Sequence, residues 1–180
     1  MGKRKDVTKN APGSDSDSRQ APAAAIIGDC TLEIWHEVPR ARLTRALARL
    51  GVPKLLRSSE LASYDGPLLL FRSDCVFDTP ALKALIEAPG VAVTGSAAGA
   101  ERPLAVHAPA GGRAAAQSLL EGDDEAAIAA AKAAGIRILS PNELGASYWH
   151  ALRKREVPYV LTVTKDERAA IEWRMFMGTY

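Results

Sequence analysis

Two carboxylates, Asp74 and Asp78, stand four residues apart in PLLLFRSDCVFDTPALKALI, residues 67–86. Carboxylates so placed are of the kind that holds Mg²⁺, which takes one or two protein carboxylates and completes its shell with water and phosphate oxygens. The apolar run Leu68, Leu69, Leu70, Phe71 predicts a buried strand, and Asp78-Thr79 ahead of Pro80 predicts a capped helix over 79–87. A strand that delivers a carboxylate at its C-terminal end puts it where open α/β sheets take their ligands. Two roles stand for each acid. Asp74 is a metal ligand or a turn stabiliser, and Asp78 is its partner or a helix cap.

Other chemical signatures are sparse. The first apolar run leads into AAIIGDCTLEIW, which offers Gly28 alone, with neither GxGxxG nor a phosphate-loop lysine. A loop that cradles a triphosphate needs several close backbone N–H groups, hence glycines, and usually a basic residue. Gly111-Gly112-Arg113 is an alternative anion nest, read first as a surface turn. Cys30 and Cys75 each follow an Asp and read as small buried thiols; two cysteines in this context make neither a disulfide framework nor a zinc site. His36, His107 and His150 fall in separate segments without metal or acid–base spacing, and no Gly-x-Ser-x-Gly is present.

The elements that must position these residues follow from periodicity. Residues 1–22 are polar and predict a disordered tail. From Ala23 the chain predicts a strand (AAAIIG), then a short strand or extended loop at Thr31–Trp35. A helix opened by Pro39 follows, with Leu43, Leu47 and Leu50 on one stripe, and Gly51 ends it before a strand VPKLL. After the 67–86 segment come strand Val91–Thr94, a loose Gly/Ala/Ser stretch over 95–100 and strand Leu104–Ala108. Ala-rich helices run to Gly135, and IRIL (136–139) is a strand. Ser140-Pro141-Asn142-Glu143 is a capping box that predicts a helix to about Arg155; Thr164 and Glu167 repeat it before a last helix through Met177. Strands alternating with helices predict an α/β fold with a mainly parallel sheet.

The formal net charge is +2, with the basic excess at both ends and 12 basic against 14 acidic residues over 21–149. That balance argues against a nucleic-acid backbone binder. No apolar run approaches the ~20 residues of a membrane span and the start lacks a signal-peptide core, so a cytoplasmic chain is expected. The last segment mixes Tyr148, Trp149, Tyr159, Trp173, Phe176 and Tyr180 with basic residues. Its helix either docks on the domain or lies at a membrane surface.

LRKREVPYV followed by ERAAIEWRMFMGTY resembles the segment just before the membrane domain of bacterial CDP-alcohol phosphatidyltransferase proteins, and PLLLFRSDCVFDTPALKALI resembles a strand, Asp turn and helix start of their N-terminal nucleotidyltransferase domain. The resemblance implies a Rossmann-like (GT-A type) three-layer nucleotidyltransferase fold over residues 23–145 and a helical, juxtamembrane-type extension over 146–180. It implies Mg²⁺ as cofactor with Asp74 as its ligand. His107, Asn142 and Glu143 lie in the half of the domain that would hold a second metal-binding carboxylate, but match no motif. CTP or a CDP-linked ligand, and a membrane phosphatidyltransferase domain at the inner-membrane surface, are the implied partners. Because Gly28 stands alone where relatives carry a glycine-rich loop, the expected function is a degenerate domain that binds a nucleotide or headgroup phosphate or regulates the membrane enzyme. Two alternatives accompany it: an active Mg²⁺-dependent CTP:sugar- or inositol-phosphate cytidylyltransferase, and a non-catalytic protein- or membrane-interaction module.

Overall fold

The computed structural model describes residues 21–97, 99–122, 124–145 and 158–177. Its strands are β1 (Ala23–Ile27), β2 (Leu68–Arg72), β3 (Cys75–Phe77), β4 (Val91–Ala97), β5 (Ala100–Ala108), β6 (Arg137–Leu139) and β7 (Val160–Thr162). Its helices are α1 (Pro39–Arg49), α2 (Ser58–Leu61), α3 (Thr79–Glu87), α4 (Arg113–Glu121), α5 (Glu125–Ala133) and α6 (Arg168–Met177). The strands form one curled sheet in the order β1-β2-β5-β4-β7-β3, with β6 also on β4.

The sheet is mixed, which corrects the expectation of a mainly parallel one. β1 and β2 are parallel, as are β4/β6 and β4/β7, whereas β5 runs antiparallel to both β2 and β4, and β3 runs antiparallel to β7. The cause lies in the 95–100 stretch expected to be loose and the residues just after it: residues 95–97 and 100–103 continue β4 and β5 into a long hairpin. A register shift after Val93 opposes Thr94 to Pro103 and leaves Leu104 as the extra residue, a bulge that seats a proline where ladder pairing is interrupted.

Strand alternation sorts the core onto two faces. Ile26, Leu69, Phe71, Val91 and Val93 pack with Leu43 and Leu47 of α1 and Leu82 and Leu85 of α3. Ala25, Leu68, Leu70, Ala92 and Val106 pack with Leu61 of α2, Leu119 of α4 and Ala131 of α5. Strands apolar on both faces read as continuous hydrophobic runs, which is why LLLF carries no alternation. A third cluster joins Ile34, Val76, Val163, Ile171 and Met175, so β3, β7 and α6 share a core of their own.

One further expectation is corrected, and one alternative is decided. VPKLL contributes a single parallel bridge, Leu55 to Ala24, rather than a strand. TLEIW takes the loop alternative: Ile34 and Glu37 exchange backbone hydrogen bonds across a tight turn whose central residues, Trp35 (φ 48°) and His36 (φ 61°), are both left-handed. The expected tail over 1–22 lies outside the described residues except for Ala21 and Pro22. The helix expected from Ser140 to Arg155 is described only to Gly145, as turns opened by the predicted capping box: Ser140 N donates to Glu143 at 2.7 Å and Glu143 N to Ser140 Oγ at 3.3 Å.

β7 crosses close over Gly95 of β4. A Cβ there would collide with the Val160 carbonyl and approach Leu104 Cδ1 to 2.7 Å, and the Val160 backbone has no slack to give. Gly95→Ala is therefore expected to cost about 1–3 kcal/mol of stability, measured as the shift in urea midpoint; an unchanged midpoint would contradict this packing.

Candidate functional site

From β1 the chain passes through α1 and returns so that Leu55 bridges Ala24 in parallel on one edge, while β2 pairs in parallel on the other. Successive connections thus diverge from β1, a switch point of the kind at which open α/β sheets take ligands. Gly28 and Asp29 follow β1 there, and Ser73 and Asp74 follow β2, the register setting Ile27 against Arg72. Ser73 N donates to the Ile27 carbonyl at 2.8 Å and closes the two strand ends together. Gly28 adopts φ 82°, and a Cβ on it would press Ser73 Oγ at 3.1 Å, so both the backbone angle and the close approach favour glycine. From the α1 side, Arg40 Nη1 donates to the Ile26 carbonyl at 3.4 Å.

Asp74 sits at this edge, where the apolar run placed it. Its carboxylate is engaged by Arg72 in a two-bond fork, Nε to Oδ1 at 3.0 Å and Nη2 to Oδ2 at 2.6 Å, with both side chains 26% exposed. Burial works to raise the Asp74 carboxyl, but the Arg72 hydrogen bonds and charge outweigh it and hold the group below its ordinary value. The same hydrogen bonds raise Arg72 against the opposing effect of its burial. Arg72 is the residue that inspection of the acids missed. Arg72 closes β2 and Asp74 lies in the turn after it, so a long cation two residues before the acid already carried the signal.

As arranged, the Asp74 carboxylate is not open to a Mg²⁺ ion. A guanidinium occupies both oxygens that the metal would use.

Asp78 takes the capping role. Its side chain accepts from Ala81 N at 2.8 Å and from Tyr159 N at 3.2 Å, while its own N donates to the Tyr159 carbonyl. It therefore starts α3 and anchors the entry to β7. Cys75 is buried, within 3.4 Å of Asp74 Oδ1 and 4.0 Å of Thr162 Oγ1. Burial, then the negative Asp74, push its thiol well above the usual cysteine range, so it stays protonated and non-nucleophilic. Cys30 is a half-buried free thiol.

His107 is a core side chain of β5. Its Nδ1–H faces the Leu85 carbonyl at 3.1 Å, and desolvation lowers its pKa, which keeps the ring neutral. Glu143 is spent on the Ser140 cap, although the C-terminal end of β6 brings it to the same sheet edge as β1 and β2 by parallel pairing through β4. Gly111-Gly112-Arg113 follows antiparallel β5, whose last residue Ala108 pairs with the first of β2, so that turn lies at the opposite edge. In α6, Ile171 and Met175 face the core, while Trp173 and Phe176 stack at 5.7 Å on the exposed side. His150, Tyr148 and Trp149 lie outside the described residues.

A scan against protein-family models and searches of curated proteins and of solved structures returned no match to the chain.

The Asp74 pair has a defined pH signature. A carboxyl held lower in the folded state stabilises it above the unfolded value, about pH 4, and loses that contribution as pH falls through the folded value. Asp74→Asn is expected to be less stable than the wild type at pH 7, with the gap closing as urea unfolding is repeated at pH 4 and below. A gap constant between pH 7 and pH 3 would contradict the ion pair.

Proposed function

We propose that this chain is a nucleotidyltransferase-like α/β domain of the Rossmann-like, GT-A type, with a degenerate active site. Its role is to bind the phosphate of a nucleotide or a phosphorylated headgroup in CDP-alcohol phospholipid metabolism, at the cytoplasmic face of the membrane enzyme it serves. The observation that carries the reading is the switch point at β1. The strand ends of β1 and β2 meet there, bonded through Ser73 and flanked by Gly28, Arg72 and Asp74. Helices on both faces and a buried LLLF strand support the same assignment of fold.

Binding without turnover is the better supported half. Transfer of a nucleotidyl group depends on neutralising the phosphates and holding the attacking and leaving oxygens in line, mostly with metal ions and preorganised donors. The first strand supplies one glycine where a phosphate loop needs several, and the carboxylate expected to hold Mg²⁺ is engaged by Arg72. On this reading the β1 and β2 strand ends receive phosphate, while the one carboxylate expected to hold the metal is already engaged by Arg72.

Isothermal calorimetry of the full chain with CTP and with a CDP-alcohol, each with and without Mg²⁺, tests the reading. Saturable one-site heat with at least one ligand is expected; no heat with any of them under either condition would overturn it.

A further inference from the structure

We propose that the Arg72 guanidinium is the anion-receiving group of this edge, that Asp74 is its placeholder, and that a phosphoryl ligand takes the place of Asp74 without needing a divalent metal. This assignment rests on the phosphoryl-ligand reading above and specifies how that ligand is held. The fork that Arg72 presents to Asp74 uses two parallel N–H donors, and two oxygens of a phosphate fit the same fork. At 26% exposure the pair is reachable from solvent, so the exchange does not require the core to open.

The two acids of the segment are held differently, and the difference decides which one can yield. Asp78 is fixed by the amides of Ala81 and Tyr159, and its release would uncap α3 and loosen β7. Asp74 is fixed through its backbone, where its carbonyl accepts from Val163 N at 2.7 Å, and its carboxylate is held by the Arg72 and Cys75 side chains. Rotation of that one side chain clears the fork and leaves the main chain in place. A second guanidinium, Arg40, reaches the same strand ends with its contact made to the neutral Ile26 carbonyl, so its charge remains available to a bound anion. The left-handed Gly28 leaves the β1 end without a side chain beside Ser73.

A metal-ligand role for Asp74 and a placeholder role predict opposite signs. If Asp74 held Mg²⁺, its loss would weaken binding; if it competes with the ligand, its loss strengthens binding. The test titrates the full-length wild type, Asp74→Asn, Arg72→Lys and Arg72→Gln with inorganic pyrophosphate and with CTP, in EDTA and in Mg²⁺, by calorimetry. The expected result is wild-type binding that persists in EDTA. It should tighten about tenfold in Asp74→Asn, as one charge-assisted pair stops competing. It should weaken tenfold or more in Arg72→Gln and also in Arg72→Lys, which keeps the charge and loses the fork. Binding that needs Mg²⁺ and falls in Asp74→Asn would overturn the placeholder while leaving the phosphoryl-ligand reading intact. Binding indifferent to every variant would also overturn it. No binding by the wild type in either condition would remove both. The EDTA arm on the wild type decides the metal question even if a variant fails to fold.

Discussion

Strand β2 is paired on both edges and covered on both faces, and the rest of the molecule is arranged around that condition. Leu68 to Phe71 are wholly buried, with β1 parallel on one side and β5 antiparallel on the other. Alternate side chains feed the two core clusters, so α1 and α3 must cover one face and α2, α4 and α5 the other. Each such Leu or Phe contributes about 1.5–3 kcal/mol by burial, whereas an ion pair at the strand end contributes about 1 kcal/mol or less when exposed. The core therefore fixes where β2 ends, and the polar residues at that end adapt to it. Arg72, Ser73 and Asp74 stand where they do because the apolar run stops there.

That hierarchy explains why one pair of acids separated into two roles. Asp78 met the unsatisfied amides of a helix start and of the incoming β7 segment, and backbone N–H groups bind a carboxylate as fixed partners. Asp74 met a side chain instead. A guanidinium on a flexible stem is a partner that can be exchanged, and one that serves a phosphate as well as a carboxylate. An acid neutralised by a neighbouring cation is a different object from an acid awaiting one.

Much of the fold was legible in the sequence for local reasons. The LLLF run, the Asp-Thr-Pro helix start and the Ser140–Glu143 and Thr164–Glu167 caps depend on neighbours within a few residues, and each forms where it was expected. What failed depends on distant partners. Residues 95–100 looked loose because Gly95 and Gly99 are poor strand formers, yet the β4–β5 hairpin and the close passage of β7 over Gly95 override that preference. VPKLL looked like a strand, but the chain supplies it only one bridge beside β1. The left-handed pair Trp35-His36 was invisible because a bulky Trp rarely takes that conformation; the Ile34–Glu37 bonds and the Trp35 N–H to Glu172 of α6 hold it. At the site, Asp74 was legible as an acid at a strand end, and its engagement by Arg72 was not, because attention to acids leaves out the cation two residues away.

The central claim is that the C-terminal edge of β1 and β2 is where this chain meets its ligand. Amide chemical-shift mapping of the full chain on titration with CTP tests it most directly. The account predicts saturable shifts concentrated at residues 27–30, 40 and 72–75. Shifts centred instead on Gly111-Gly112-Arg113 at the opposite edge, or on the exposed face of α6, would contradict it.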